Sequence, residues 1–389
     1  MSEFRTIREL CSVVVDCPHS TPKWTANGKI VIRNNNIKHG RIDFSSSSYT
    51  DDEHFAQRIK RAKPQPGDII ITREAPIGDV GMIPENTECC LGQRMVLLRA
   101  NQSVCDNFYL LYSLQSLYVQ HQISWSEGTG TTVSNLRIPH LEQIQIPYLP
   151  LEQQAKISSV LRALEEKIEN NRRLNDNLQQ QAFSLFDNLI ANAENNDYTV
   201  SDYAFLNPKR TLAKNQVARS IDMSQLSTSG AFPSGWEMKP FNGGMRFTNG
   251  DTLLARITPC LENGKTAFID FLDDGEVAFG STEYIVLAPK NDTPPEMLYC
   301  LARYPAFVDY AVKNMNGSSG RQRVSAETVR QYRLPLFDKH SLVLFKEVVS
   351  PMFLKMRYNS LENMRLAELR DALLPKLMSG EIDVSAVQL

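Results

Sequence analysis

Apolar residues recur at alternating intervals of three and four along two stretches of the chain, Leu161 to Leu189 and Val349 to Leu377. This is the a/d spacing of a coiled-coil helix, sustained over about four heptads. The two stretches lie 188 residues apart, and asparagine occupies the same two seam positions in each: Asn171, Asn175, Asn359 and Asn363. The pattern therefore predicts two equivalent long helices within one chain.

A seam asparagine needs a hydrogen-bonding mate, so it fixes the register and the partner of its helix. The two helices are natural partners for each other, and an antiparallel pair would place Asn171 against Asn363 and Asn175 against Asn359. The seam from Leu161 to Leu189 would rise about 42 Å. Because half-sites one turn of B-DNA apart are separated by about 34–36 Å, such a rod suits two domains that occupy adjacent major grooves.

The repetition extends beyond the helices. A Gly-Asp turn and the strand-like run after it, residues 67–73, match residues 250–256, and a glycine-rich turn at 128–134 matches 317–325. Short β-type runs alternate with helical patterns in each half, which predicts α/β or α+β globules. Gly380 is expected to end the second long helix and Pro375 to kink it. The predicted organisation is a first globular domain at 1–150, a spacer helix at 151–192, a second globular domain at 198–335 and a second spacer helix at 336–380.

Composition narrows the class of protein without identifying it. The chain has 389 residues, 42% of them apolar and 22% charged, with a formal net charge of −2. We expect no membrane span or signal peptide, and the seven cysteines fit neither a disulfide framework nor a zinc site. These features favour a cytoplasmic protein.

Charge is distributed unevenly. Acidic residues are absent between Asp16 and Asp43, between Asp202 and Asp222 and from Ala311 to Ala326, and all three segments carry lysine and arginine. Solvated loops would explain any one of them. Their recurrence in both halves favours nucleic-acid contact.

The partial matches to catalytic motifs in this chain lack residues that those motifs require. Gly264-Lys265-Thr266 resembles the end of a phosphate loop, but Pro259 replaces its first glycine. Asn207-Pro208 lacks the second proline and the aromatic residue that hold a flipped adenine. The six histidines show no metal-ligand spacing, and no nucleophile and base are recognisably paired. We expect a binding scaffold without a catalytic or metal site.

Seven segments taken in order resemble the specificity subunit of type I restriction-modification enzymes. Each is weak alone, but together they span the whole chain and include its duplication. The segments are 33–37 (RNNNI), 67–78 (GDIIITREAPIG), 90–94 (CLGQR), 128–135 (GTGTTVSN), 146–154 (IPYLPLEQQ), 255–266 (ARITPCLENGKT) and 369–381 (LRDALLPKLMSGE).

The resemblance implies a non-catalytic DNA reader whose two target-recognition domains are held apart by two antiparallel helices. It implies a bipartite, asymmetric double-stranded DNA target and a role in phage defence. The implied partners are two methyltransferase subunits that use S-adenosylmethionine to methylate adenine, and restriction and translocase subunits that use ATP. These cofactors would bind the partners, and none is expected in this chain.

Candidate DNA contacts follow from the side chains that read base edges: arginine suits guanine, and asparagine suits adenine. For Arg73 and Arg256, which end predicted strands, pairing with a nearby carboxylate is an equal alternative. Outward helix residues such as Arg172, Gln179 and Arg357 are expected to face the methyltransferase subunits. The DNA candidates are Arg33, Asn34, Asn35, Arg73, Gln93, Arg94, Thr129 and Thr131 in the first domain and Arg256, Lys265, Ser318, Arg321 and Arg323 in the second.

Three other functions remain open from the sequence. The chain could be the specificity component of another two-domain restriction or phage-defence assembly, which the identity of its partners would decide. It could be an enzyme of unrecognised chemistry, which requires activity from the isolated chain. It could also be a protein-binding scaffold, for which salt-dependent duplex binding should be absent.

Overall fold

A computed structural model describes residues 3–38, 40–125, 135–193, 197–318 and 320–387. Contacts within the chain define two compact units. The first contains residues 1–166 and 367–389, and the second contains residues 167–366. Each unit therefore combines one globular domain with parts of both long helices.

The first domain mixes short strands and helices. Its strands are β1 (Glu3–Thr6), β2 (Cys11–Asp16), β3 (Lys29–Ile32), β4 (Ile37–Lys38), β5 (Arg41–Ile42), β6 (Ser48–Thr50), β7 (Ile69–Arg73), β8 (Ile77–Met82), β9 (Cys89–Leu91), β10 (Met95–Ala100) and β11 (Gln145–Tyr148). Its helices, ending with the first long one, are α1 (Ile7–Leu10), α2 (Asp52–Arg58), α3 (Asn107–Gln115), α4 (Leu117–Trp125), α5 (Ile138–Gln143) and α6 (Leu151–Ala191). A single 3₁₀ turn covers Asn34–Asn36.

The central sheet of this domain has the antiparallel order β2-β10-β7-β8 and is covered on both faces. Ile69 and Ile71 of β7 pack into the cluster that contains the helices, while Ile70 packs into a second cluster on the opposite face. Burial of both faces explains why β7 is a continuous apolar run and does not alternate. A second sheet, β6-β3-β9, contains a parallel pairing of β3 with β9.

The helical spacing of Leu111, Leu114 and Tyr118 predicts one helix over 108–119, but this prediction is wrong, because the segment forms two helices, α3 and α4. Ser116 between them has extended backbone angles, and its hydroxyl donates to Ser113 O at 2.6 Å. The break is not visible in the apolar pattern, since apolar residues continue through it: Leu114 and Val119 are buried, while Leu117 and Tyr118 are exposed. Local side-chain bonding by serine competes with the helical ladder at this point.

The second domain repeats the mixture. Its strands are β12 (Tyr198–Thr199), β13 (Ala204–Leu206), β14 (Val217–Ile221), β15 (Glu237–Pro240), β16 (Met245–Phe247), β17 (Thr252–Ala255), β18 (Thr266–Phe268), β19 (Ala278–Gly280), β20 (Tyr284–Pro289) and β21 (Arg333–Leu334). Its helices, ending with the second long one, are α7 (Val200–Tyr203), α8 (Pro295–Arg303), α9 (Pro305–Lys313), α10 (Ala326–Arg330) and α11 (Lys339–Ser379). The second 3₁₀ turn is Met223–Gln225.

Sheet order shows the internal duplication directly. The sheet β13-β20-β17-β18 has the arrangement of β2-β10-β7-β8, and the parallel pair β14 and β19 matches β3 and β9. Gly67 and Gly250 have positive φ values of 83° and 87°, and each precedes a buried aspartate whose carboxylate accepts from a backbone N–H at 2.8 Å. The mixed, duplicated fold class is confirmed.

The long helices pair antiparallel within the second unit. Asn171 donates to Asn363 Oδ1 at 3.0 Å, and Asn359 donates to Asn175 Oδ1 at 2.8 Å. These are the pairs that the antiparallel alignment requires. Helix α11 is not interrupted at Pro375, and it ends before Gly380, whose φ is +75°.

Candidate nucleic-acid interface

Three segments of the first domain meet beside the C-terminal end of β7. The side-chain amide of Asn34 donates to Glu74 O at 2.6 Å, and Gly92 N donates to Ile32 O at 2.7 Å. Arg73 N donates to Arg94 O at 2.8 Å. Residues 33–36, 73–75 and 92–94 thus form one surface, and the structure brings together the candidates that these segments carry.

Arginine side chains are accessible on this surface. The guanidinium of Arg33 lies 5.3 Å from the centre of the exposed Trp24 ring. Arg94, with a φ of +65°, is half exposed and pairs with Glu74 at 3.1 Å. Asn35 is exposed at the tip of the 3₁₀ turn. These groups present donors and an aromatic face to solvent.

Other candidates in the first domain are held inside it. Arg73 is only 9% exposed, and it donates to Leu136 O and to a carboxylate oxygen of Asp16, both at 2.8 Å. Pairing with a carboxylate, the alternative considered for this residue, is therefore what the structure shows. The amide of Asn34 is committed to the backbone at Glu74, and Gln93 donates to His19 O. The hydrogen bonds of these side chains hold the segments of the surface together, so these donors are used within the domain.

Thr129 and Thr131 lie outside the described residues. Asn135, where the description resumes, donates to Glu74 Oε1 at 2.8 Å and accepts from Arg73 at 3.1 Å.

The second domain builds its equivalent surface around Glu283. Arg256 N donates to Glu283 O at 3.0 Å, and Val324 N donates to Arg256 O at 2.9 Å, so three segments again meet at the end of a central strand. The Glu283 carboxylate accepts from Arg323 Nη2 at 2.7 Å and lies 3.8 Å from Arg256. The hydrogen bond from Arg323 lowers the pKa of Glu283 below its ordinary value. The carboxylate is therefore ionised at neutral pH.

The remaining second-domain candidates differ in access. Lys265 is half-buried and donates to Met223 O at 2.7 Å, which ties it to the second 3₁₀ turn. Ser318 and Arg321 are exposed. The exposed pair and Arg323 lie on one short segment.

Equivalent positions on the two surfaces carry opposite charge. Arg33 and Asp222 both follow a strand and precede a 3₁₀ turn, and the backbone N–H of each donates to the third residue of that turn. Arg94 and Glu283 both precede the central strand of their sheet. Sequence reasoning missed Trp24, Glu74 and Glu283 as site residues. An exposed tryptophan among basic residues was a usable signal for Trp24, but the roles of the glutamates depend on contacts between distant segments.

Two of the helix residues expected to face outward are directed into the second domain instead. Gln179 is buried and donates to Ser229 O at 2.7 Å. Arg357 donates to the carboxylate of Asp270 at 3.2 Å. Only Arg172 of the three is well exposed. The expectation for Gln179 and Arg357 was wrong because each helix packs against a domain as well as against the other helix.

An apolar groove of about 600 Å³ lies in the second unit, between the end of α6 and the start of α11. Leu185, Leu189 and Phe345 line it, with Leu344 and Val348 47% and 48% exposed. The matching positions in the first unit are Lys156 and Val160, and there the chain after α11 folds back over the helix. Lys156 donates to Ser385 O at 2.9 Å, and Val384 is buried.

Two other kinds of feature are absent from the described residues. No group of three or more histidine, cysteine, aspartate or glutamate side chains is placed to hold a metal ion. No helix in the same residues combines the length and apolarity needed to cross a membrane.

Comparison with known proteins gives consistent results. Residues 2–180 match the model of the Type I restriction modification DNA specificity domain. The MjaIX specificity subunit of Methanocaldococcus jannaschii is 23% identical over 95% of this chain and 87% of its own length. The putative MjaX specificity subunit of that organism is 32% identical, but over 29% of this chain and 25% of its own length. A crystal structure of an S subunit from M. genitalium aligns with a TM-score of 0.57 at 17% identity, covering 96% and 95% of the two chains.

Proposed function

Because this chain belongs to the family of type I restriction-modification specificity subunits, we propose that it reads a bipartite, asymmetric DNA sequence and directs adenine methylation or cleavage by partner subunits. The exchange of charge between equivalent surfaces carries this proposal. Two domains with one backbone plan but different charged groups would recognise different half-sites.

In the first domain, Arg33, Asn35 and Arg94 are the proposed contacts, with Trp24 as a stacking or packing surface. In the second domain the proposed contacts are Ser318, Arg321 and Arg323. Thr129 and Thr131 remain proposed contacts. Asn34, Arg73, Gln93 and Lys265 would act by holding these segments in place, since their side chains donate to groups within the domains. Arg256 would act through its charge, since its guanidinium lies 3.8 Å from the Glu283 carboxylate and its buried Nε has no hydrogen-bond partner among the described residues.

Catalysis would belong to the partners. Two methyltransferase subunits would bring S-adenosylmethionine, and restriction and translocase subunits would bring ATP. We place one methyltransferase contact at the apolar groove beside Leu344 and Val348. In the first unit the matching surface is covered by an aliphatic segment of the chain itself, so the open surface suits an aliphatic segment of a partner.

Methylome sequencing tests the proposal. The chain is co-expressed with the methyltransferase encoded beside it, and the host DNA is sequenced by a method that detects N6-methyladenine. We expect one bipartite methylated motif that requires this chain. A stable complex that methylates no such motif would contradict the proposal, as would duplex binding that does not weaken with salt.

A further inference from the structure

The guanidinium of Arg323 is clamped on one edge by Glu283. Its Nε donates to both carboxylate oxygens at 2.9 Å, and its Nη2 donates to Oε1 at 2.7 Å. Its Nη1 donates to Arg321 O at 3.0 Å. The side chain nevertheless stays 38% exposed. Arg323 is thus fixed in orientation and still reachable from solvent.

Counting donors shows what remains for a ligand. A guanidinium has five N–H groups, and the contacts above use one on Nε, one on Nη2 and one on Nη1. Among the described residues, no contact uses the second N–H on either terminal nitrogen. Two N–H groups on adjacent terminal nitrogens match the N7 and O6 acceptors that guanine presents in the major groove. A guanidinium that is already oriented loses less side-chain entropy when it binds.

We propose that Arg323 reads a guanine in one half-site and that Glu283 is the positioning residue that holds it in the reading orientation. This inference rests on the proposed function and specifies its chemistry. Leu136 N donates to Arg73 O as Val324 N donates to Arg256 O, so the structure makes Asn135 equivalent to Arg323, and Arg94 is equivalent to Glu283. Among the described residues, the first domain therefore lacks the same unit. The two half-sites should therefore differ in how guanine is read.

The test uses the complete complex of this chain with its methyltransferase, supplied with S-adenosylmethionine and a library of duplexes randomised in both half-sites. The wild type should require a guanine at one position that R323K and E283Q no longer require, with discrimination there reduced on the order of tenfold or more. Replacing that guanine with 7-deazaguanine, which lacks N7, should slow the wild type about tenfold and R323K less than twofold.

Controls separate the possible results. Asp309→Asn removes an exposed helical ion pair in the same domain and should leave the motif unchanged. If E283Q unfolds, R323K decides, because lysine keeps the charge beside Glu283 but lacks the fork. A motif with no guanine that depends on Arg323, or equal rates with guanine and 7-deazaguanine, overturns this inference. A wild-type complex that methylates no bipartite motif overturns the proposed function instead.

Discussion

The two domains share a backbone plan and differ in the sign of the charges placed on it. The Gly-Asp turn, the sheet order and the capped 3₁₀ turn recur in both. Arginine at 33 and 94 is replaced by acid at 222 and 283. The shared parts are those whose backbone geometry or burial demands them, while the differing groups lie where three segments meet solvent. Folding therefore constrains the shared parts, whereas the differing groups can vary with the ligand that each domain binds.

The largest expected effect concerns the buried aspartate of the Gly-Asp turn in the second domain. Burial raises the pKa of Asp251 to about 6, against about 3.9 in an unfolded chain. The folded state therefore binds more protons between about pH 4 and 6, and its free energy of unfolding falls as the pH rises across that window, by about 3 kcal/mol at most. The wild type should lose this much relative to D251N between pH 4 and 7 in urea unfolding. A difference independent of pH would contradict the assignment, and Asp309→Asn is the exposed control.

Breaking one amide of the helix pair should cost somewhat less. Asn171→Ala leaves Asn363 without its donor, and the loss of a buried hydrogen bond is expected to lower the free energy of unfolding by about 1–3 kcal/mol. Replacing both residues with leucine should restore stability while weakening the preference for one register. Thermal unfolding of the single and double variants measures the first effect. A double leucine variant no more stable than Asn171→Ala would show that the two amides do not act as a pair.

Equivalent positions beside the long helices should respond differently to the same change. Val348 lines the open groove, and Val348→Asp should reduce affinity for the methyltransferase about tenfold or more. This corresponds to a loss of about 1.4 kcal/mol in binding free energy, with little change in melting temperature. Val160→Asp lies beneath the chain that follows α11 and should lower the melting temperature. Titration calorimetry and differential scanning calorimetry separate the two effects. Unchanged partner affinity in the first variant would remove the groove from the interface.

The smallest effect isolates the exchanged charges. Arg33→Ala should weaken duplex binding by about 1 kcal/mol and reduce the slope of log affinity against log salt by about one. Asp222→Ala, the matched change in the second domain, removes a negative charge and should not weaken binding. Fluorescence anisotropy over a series of salt concentrations measures both. If both variants weaken binding equally, the two positions do not play different roles.

Sequence periodicity was sufficient for the helices and the duplication. A heptad pattern depends on neighbours along one helix, so it could be recognised without knowledge of the fold. The asparagine pairing followed from the symmetry of two antiparallel equivalent helices. The break at Ser116 was not legible, because burial on both sides of it maintains the apolar pattern. The prediction for Gln179 and Arg357 was wrong because the heptad pattern shows only the face that packs against the other helix. Each helix has a second buried face, which packs against a domain.

Site residues were harder to predict for a physical reason. The burial of Arg73 depends on Asp16 and Asn135, which are 57 and 62 residues away in the chain. The role of Glu283 depends on Arg323, 40 residues away. A sequence suggests which side chains suit a base edge, but whether a donor is free depends on contacts that only the folded domain creates.

The pairing of asparagines also bears on how such a chain can arise. Each bond joins one position of the 171 type to one of the 175 type, because Asn363 is the counterpart of Asn175 and Asn359 that of Asn171. A protein made of one such repeat could therefore form the same two bonds in a homodimer. Its two identical domains would suit an inverted-repeat target. Fusion of two genes for such a repeat, followed by divergence of one surface, would convert a pair of identical domains into two domains that differ as they do here.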